Sequence, residues 1–186
     1  IPLAEALREV PSPRVLDVAT GTGRLPRTLS AELGEQGMIV GVDRSKRMLA
    51  LAQEERALLT PRVHFLCVDA ERLCFADASF DAVTCLEAIE FITKPRRAVQ
   101  EMYRVLKPGG ILLVSNRVGL DAWLFPNRAA GRGRLERFLR QEGFRQVTTQ
   151  PWQVHYDLIW AYKGTSQESV ASVPCQDDNA ERKVSL

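Results

Sequence analysis

The chain has 186 residues, 25 Lys and Arg against 23 Asp and Glu, a formal net charge of +2, and 45% hydrophobic residues. That length and composition suit one domain with a sizeable core, and near-neutrality supplies no general field for nucleic acid or an anionic membrane. No apolar run reaches the roughly 18–20 residues of a bilayer span, and no secretory apolar segment is visible.

Residues 3 to 10 predict a short amphipathic helix, stopped by Pro11-Ser12-Pro13, and the start at Ile1 rather than Met reads as a truncated or processed end. Val15-Leu16-Asp17-Val18 then predicts a buried strand that breaks into Ala19-Thr20-Gly21-Thr22-Gly23 and opens a helix at Arg24. Such a strand, glycine turn and helix are the architecture of a nucleotide-cofactor site, with an ordinary ligand-free turn as the alternative. The dinucleotide version needs a small residue where this chain has Pro26, so that version fails, although proline suits a first helical turn.

A second strand, Met38 to Val42, ends in Asp43, an acid placed to accept hydrogen bonds from both hydroxyls of a ribose. Ser45 caps a helix whose apolar positions, Met48, Leu49, Ala52, Leu58 and Leu59, fall at helical spacing. A third strand, Val63 to Val68, ends in Asp69-Ala70, and a fourth, Phe80 to Leu86, ends near Glu87. Polar groups thus arrive at the carboxyl edge of a sheet, where open α/β sheets bind ligands. For each acid the alternative is a solvated turn residue or a cap, and Asp81 reads as structural.

Pro95 to Leu106 predicts a helix, Lys107-Pro108-Gly109-Gly110 a turn, Ile111 to Ser115 a fifth strand, and Arg134 to Glu142 a further helix ended by Gly143. Two closing strands span about Gln146 to Gln150 and Asp157 to Lys163, and residues 164–186 read as a disordered tail behind a domain of residues 1–163. The alternation of strands and helices predicts an α/β fold with a mostly parallel sheet covered on both faces.

Four stretches together resemble the class I S-adenosylmethionine-dependent methyltransferases, and within them the quinone-biosynthesis C-methyltransferases. They are Val15 to Gly23, Gly41-Val42-Asp43-Arg44-Ser45 with Met48, Val68-Asp69-Ala70 followed by Phe80-Asp81-Ala82-Val83, and Glu101 to Gly110. The resemblance implies a Rossmann-like, doubly wound, seven-stranded sheet with the last strand antiparallel, and S-adenosyl-L-methionine as cofactor. It implies that Asp17, Gly21 and Gly23 surround the methionine part and ribose, with Ala19 at a position often held by glycine. It further implies that Asp43 holds the ribose hydroxyls, Asp69 and the Ala70 N–H read adenine, and Met48 with the Arg44 stem covers the adenine face. Cys85, at the fourth strand's end, completes the cofactor-binding set.

Methyl transfer asks mainly for alignment, with a base where the acceptor loses a proton. Glu87 is the first candidate base and His155 the second. Glu87 and Glu90 at i, i+3 spacing lack a third metal ligand, Phe91 stands where some relatives have histidine, and a solvated helix start is preferred to a metal pair. Asn116 to Gly131 is a long connection holding Asn116, Arg117, Trp123, Phe125 and Arg128; with Trp152, His155 and Tyr156 it suits a pocket for an aromatic or lipid-like small molecule. Simple packing of the tryptophans against the sheet is the alternative.

An RNA methyltransferase is the competing class, but Cys85-Leu86-Glu87-Ala88 lacks the turn that holds a flipped base, and Glu136 and Glu142 interrupt the basic stretch Arg128 to Arg140. A cofactor-binding scaffold without turnover is a third reading. The four cysteines, Cys67, Cys74, Cys85 and Cys175, lack C-x-x-C spacing and read as thiols of a reducing compartment, so a cytoplasmic location is expected.

Overall fold

The structure is a computed structural model that describes residues 2–54, 62–119 and 133–165. Leu58, Leu59, Trp123, Phe125, Arg128, Cys175 and the expected tail from residue 166 onward lie outside the described residues.

Seven strands form one sheet: β1 (Arg14–Val18), β2 (Met38–Asp43), β3 (Val63–Cys67), β4 (Phe80–Cys85), β5 (Leu106–Arg117), β6 (Phe144–Gln153) and β7 (Tyr156–Lys163). Their order is β3-β2-β1-β4-β5-β7-β6. β1 to β5 pair in parallel, while β7 runs antiparallel to both β5 and β6. This is the doubly wound sheet expected from the sequence. The strand order reverses between β1 and β4, so a crevice opens at their carboxyl ends.

Among the described residues, five α-helices cover the sheet: α1 (Pro2–Ala6), α2 (Arg24–Leu33), α3 (Lys46–Glu54), α4 (Pro95–Val105) and α5 (Arg134–Gln141). Alternation along each strand divides the core between the two faces. Val15, Ile39, Ile111 and Leu113 pack with Leu3, Leu29, Leu49 and Ala52 from α1, α2 and α3. Leu16, Val18, Leu112 and Val114 pack on the other face with Val99, Met102 and Leu139 from α4 and α5. Central β1 and β2 are buried nearly throughout, whereas edge strand β6 is mostly exposed.

The first helix is shorter than expected: it ends at Ala6, with turns replacing the stretch to Val10. The expected turn Lys107 to Gly110 is drawn into β5 as a bulge, because the register jumps from Phe80 opposite Leu106 to Ala82 opposite Ile111. Asp81 fixes this irregularity by pairing with Lys107 Nζ at 2.7 Å and accepting the Arg14 N–H at 2.9 Å, the structural role read from the sequence. Trp152 and Tyr156, expected in the turn between the last strands, belong to β6 and β7, leaving Val154 and His155 to connect them.

Candidate functional site

β1 ends by handing the chain to a loop held from behind. Asp17 is buried at 3% exposure and accepts the Thr20 hydroxyl at 2.7 Å and the Thr84 hydroxyl at 2.6 Å. Burial lifts its pKa to about 6, against the opposing effect of those two donors and with a smaller push from Asp43. The Thr20 N–H donates to the Val42 carbonyl at 2.9 Å, so the loop is tied to both neighbouring strands.

Beyond Thr20 the glycines have separate duties. An added Cβ on Gly21 meets nothing within 4 Å, and this residue lines a cavity. On Gly23, which has φ 75°, the same atom would lie 2.8 Å from Cζ of Phe65, so Gly23 lets the start of α2 pack against β3. Pro26 lies buried in the first turn of α2.

Asp43, at the tip of β2, joins the loop to the next helix. One carboxylate oxygen accepts the Gly21 N–H at 2.9 Å and the other accepts the Ser45 N–H at 2.8 Å. Each oxygen retains a lone pair for a further donor. Ser45 Oγ accepts the Met48 N–H at 3.3 Å, so the expected cap is present. At the tip of β3, Asp69 accepts the Glu71 N–H at 2.9 Å, which turns the chain around Ala70.

These groups converge on one cavity of about 350 Å³. Ala19, Gly21, Asp43, Arg44, Met48 and Asp69-Ala70 line it, together with Glu87, Ala88 and Phe91 to Thr93. The strand tips thus bring together most of the residues expected at a cofactor. Asp17, Gly23 and Cys85 do not line the cavity. Asp17 braces the loop, Gly23 packs beneath it, and Cys85 is buried in the core with its thiol pKa pushed up by desolvation and by the nearby Asp17 and Glu90 charges.

Two cavity-lining residues other than glycine adopt left-handed backbone: Ala19 at φ 56° and Glu87 at φ 53°. Such residues cost roughly 1–3 kcal/mol each and persist where their surroundings over-determine them. At Glu87 the surroundings are visible: its N–H donates to the Ser115 hydroxyl at 2.6 Å, and its Oε1 accepts from Gln153 Nε2 at 3.4 Å. Glu87 and Glu90 diverge despite their helical spacing. Glu90 is 1% exposed and accepts the Tyr156 hydroxyl at 2.7 Å, while Arg117 Nη1 donates to the same hydroxyl at 2.8 Å. Burial and the Glu90 charge push the Tyr156 phenol up to about 12. His155 is exposed in the β6–β7 turn and does not line the cavity.

Sequence reasoning missed Thr84, Ser115 and Gln153, which support Asp17 and Glu87 from other strands. No spacing rule links partners 28 to 67 residues apart. A larger groove of about 610 Å³ lies between α1 and the end of α2, at the amino edge and away from every strand tip carrying an acid, so volume does not mark the site here.

A family described as "Methyltransferase domain" matches residues 16–114, from β1 through β5. A demethylmenaquinone methyltransferase of Renibacterium salmoninarum is 41% identical over 114 residues, covering 61% of this chain and 45% of that protein. The ubiquinone/menaquinone biosynthesis C-methyltransferase UbiE of Serratia proteamaculans is 40% identical over 104 residues, covering 54% of this chain and 41% of the relative. The chain therefore spans less than half the length of these curated relatives. Among solved structures, the [4+2]-cyclase SpnF superposes with a TM-score of 0.72 at 25% identity, covering 88% of this chain and 80% of that one.

Proposed function

Because the chain belongs to the methyltransferase domain family, whose class I members draw their methyl group from S-adenosylmethionine, we propose that it methylates a small aromatic, lipophilic acceptor at a ring carbon. One observation carries this reading: Asp43, anchored to the Gly21 N–H at 2.9 Å, shares a cavity with the Asp69-Ala70 turn and the side chain of Met48. That donor and acceptor set fits an adenosine. Its carboxylate has lone pairs left for ribose hydroxyls, its turn presents an acid and a backbone N–H to the adenine edge, and its thioether covers the ring face. A cavity of about 350 Å³ falls within the range of small-ligand sites.

S-adenosylmethionine supplies, when bound, a methyl group on a sulfonium that is already electrophilic. The chain's own residues do the rest. Gly21 and Ala19 admit close backbone approach, while Phe91 and Ile92 offer an apolar wall to an aromatic ring. Glu87, held by Ser115 and Gln153, accepts the proton that the acceptor loses. The names of these relatives, a demethylmenaquinone methyltransferase and a ubiquinone/menaquinone biosynthesis C-methyltransferase, support a quinone-type ring. A reducing, cytoplasmic setting accords with the free, exposed thiols of Cys67 and Cys74.

The test is incubation of the chain with trideuteromethyl-labelled S-adenosylmethionine and chemically reduced 1,4-naphthoquinone. A trideuteromethyl group on a ring carbon is expected. Cofactor binding with no labelled product, from this acceptor or from a lipid extract, would refute the proposal in favour of a scaffold. Product identification is essential, since a similar fold also serves a cyclase.

A further inference from the structure

We propose that the carboxyl edge of the sheet docks on an anionic phospholipid surface, with the cavity opening toward it. The first observation is where the chain exposes apolar side chains. Among the described residues, the exposed large hydrophobics are Met48, Leu51, Leu66, Phe91, Trp152 and Val154. Phe91 follows β4 and lines the cavity at 60% exposure. Trp152 and Val154 form the tip of the β6–β7 hairpin, with Val154 at 90% exposure. That tip belongs to the same edge, because Gln153 and Arg117 both lie opposite Tyr156 and Gln153 bonds to Glu87. Leu66 is one residue short of the end of β3. Met48 and Leu51 occupy the first two turns of α3, whose side chains lean back toward its N-terminus and therefore toward this edge. Scattered surface hydrophobics need no explanation, but their gathering toward one edge of the sheet, with Met48 and Phe91 lining the cavity there, does.

The second observation is charge. A net charge of +2 supplies no general field, yet exposed Arg24, Arg44, Lys46, Arg47, Lys94 and Arg97 all follow the carboxyl ends of strands. None of α2, α3 and α4 has an acid in its first turn, and each starts with basic residues there or just before. Helices ordinarily favour acids at that end, where the macrodipole is positive. Three helix N-termini and their cations therefore make this edge electropositive. Against these six cations stand Asp43, Asp69, Glu71 and Glu87, all of which line the cavity. Apolar side chains ringed by cations match an anionic bilayer surface, into which the former insert and to which the latter are attracted. A lipophilic acceptor then passes from bilayer to cavity without crossing water.

Flotation of the full chain with vesicles tests this without cofactor or acceptor, so its failure leaves the proposed methyl transfer standing. The chain is expected to float with phosphatidylcholine vesicles containing phosphatidylglycerol, to release as salt rises, and not to float with phosphatidylcholine alone. Two variants at exposed positions outside the cavity wall localise the surface. Lys46→Glu with Arg47→Glu lowers the affinity by about 25-fold or more, at roughly fivefold per basic residue. Val154→Asp lowers it by about tenfold. Unchanged thermal unfolding and S-adenosylhomocysteine affinity in both variants confirm an intact fold. Equal binding to neutral vesicles, no binding to either, or full binding by both variants would overturn the proposal. So would a stable dimer dispersed by Val154→Asp, which would assign the face to a second copy.

Discussion

Replacing Asp43 by Ala should separate the cofactor site from the fold that carries it. The carboxylate accepts the N–H groups of Gly21 and Ser45 at 2.9 and 2.8 Å, so it ties the glycine loop to the entry of α3. Losing those two contacts at a half-buried position costs about 1–3 kcal/mol of stability. The same oxygens are the proposed acceptors for the ribose hydroxyls, and hydrogen bonds to a charged acceptor contribute about 1.5–3 kcal/mol, or roughly 10- to 150-fold in Kd. The assay is calorimetric titration with S-adenosylhomocysteine, after circular dichroism has established that the variant is folded at the working temperature. Asp43→Asn, which keeps one acceptor oxygen, should fall between wild type and Asp43→Ala. A folded Asp43→Ala protein with wild-type affinity would refute the assignment, whatever its stability.

Asp17 gives a pH signature with a defined sign. Its folded-state pKa of about 6 lies above the ordinary value of 3.8, so its contribution to stability is fully present below about pH 4 and lost as pH rises through 6. Two units correspond to about 3 kcal/mol, which Asp17→Asn should remove from the pH dependence measured by urea unfolding between about pH 4 and pH 7; identical profiles would refute it. Gly23→Ala places a Cβ 2.8 Å from the Phe65 ring at φ 75° and should cost about 2–4 kcal/mol in chemical denaturation, with a loss below about 1 kcal/mol counting against the packing account. Glu87→Gln should lower turnover of the reduced naphthoquinone by about 10²- to 10⁴-fold while leaving S-adenosylhomocysteine affinity unchanged, and His155→Ala should leave both unchanged. Full turnover in Glu87→Gln would remove it from the proton-accepting role.

The legible part of this molecule is local. The β1 turn, the acids at the tips of β2 and β3, and the Ser45 cap follow from residue types a few positions apart, and alternation of strand and helix is enough to predict a doubly wound sheet. What escaped depends on contacts across the sheet. The resemblance implies Asp17 near the cofactor, but no local spacing reveals that the Thr84 hydroxyl reaches it from β4 and braces it behind the loop. Lys107 to Gly110 has turn chemistry and does turn, yet pairing of β5 with β4 on both sides absorbs it as a bulge. The Glu101-Met102-Tyr103-Arg104 stretch also hid its purpose. Arg104 bonds to Glu101, Asp77 and the carbonyls of Leu73 and Phe75, pinning the connection into β4. Net charge likewise carries no record of position: exposed Arg24, Arg44, Lys46, Arg47, Lys94 and Arg97 all follow the carboxyl ends of strands within a chain of net charge +2.

Crystallography of the chain with S-adenosylhomocysteine tests the cavity assignment most directly. Both ribose hydroxyls are expected within hydrogen-bond distance of the Asp43 carboxylate, and the adenine against Met48 with its edge toward Asp69 and the Ala70 N–H. A nucleoside bound in the groove between α1 and α2, or in the cavity but turned away from Asp43, would contradict it.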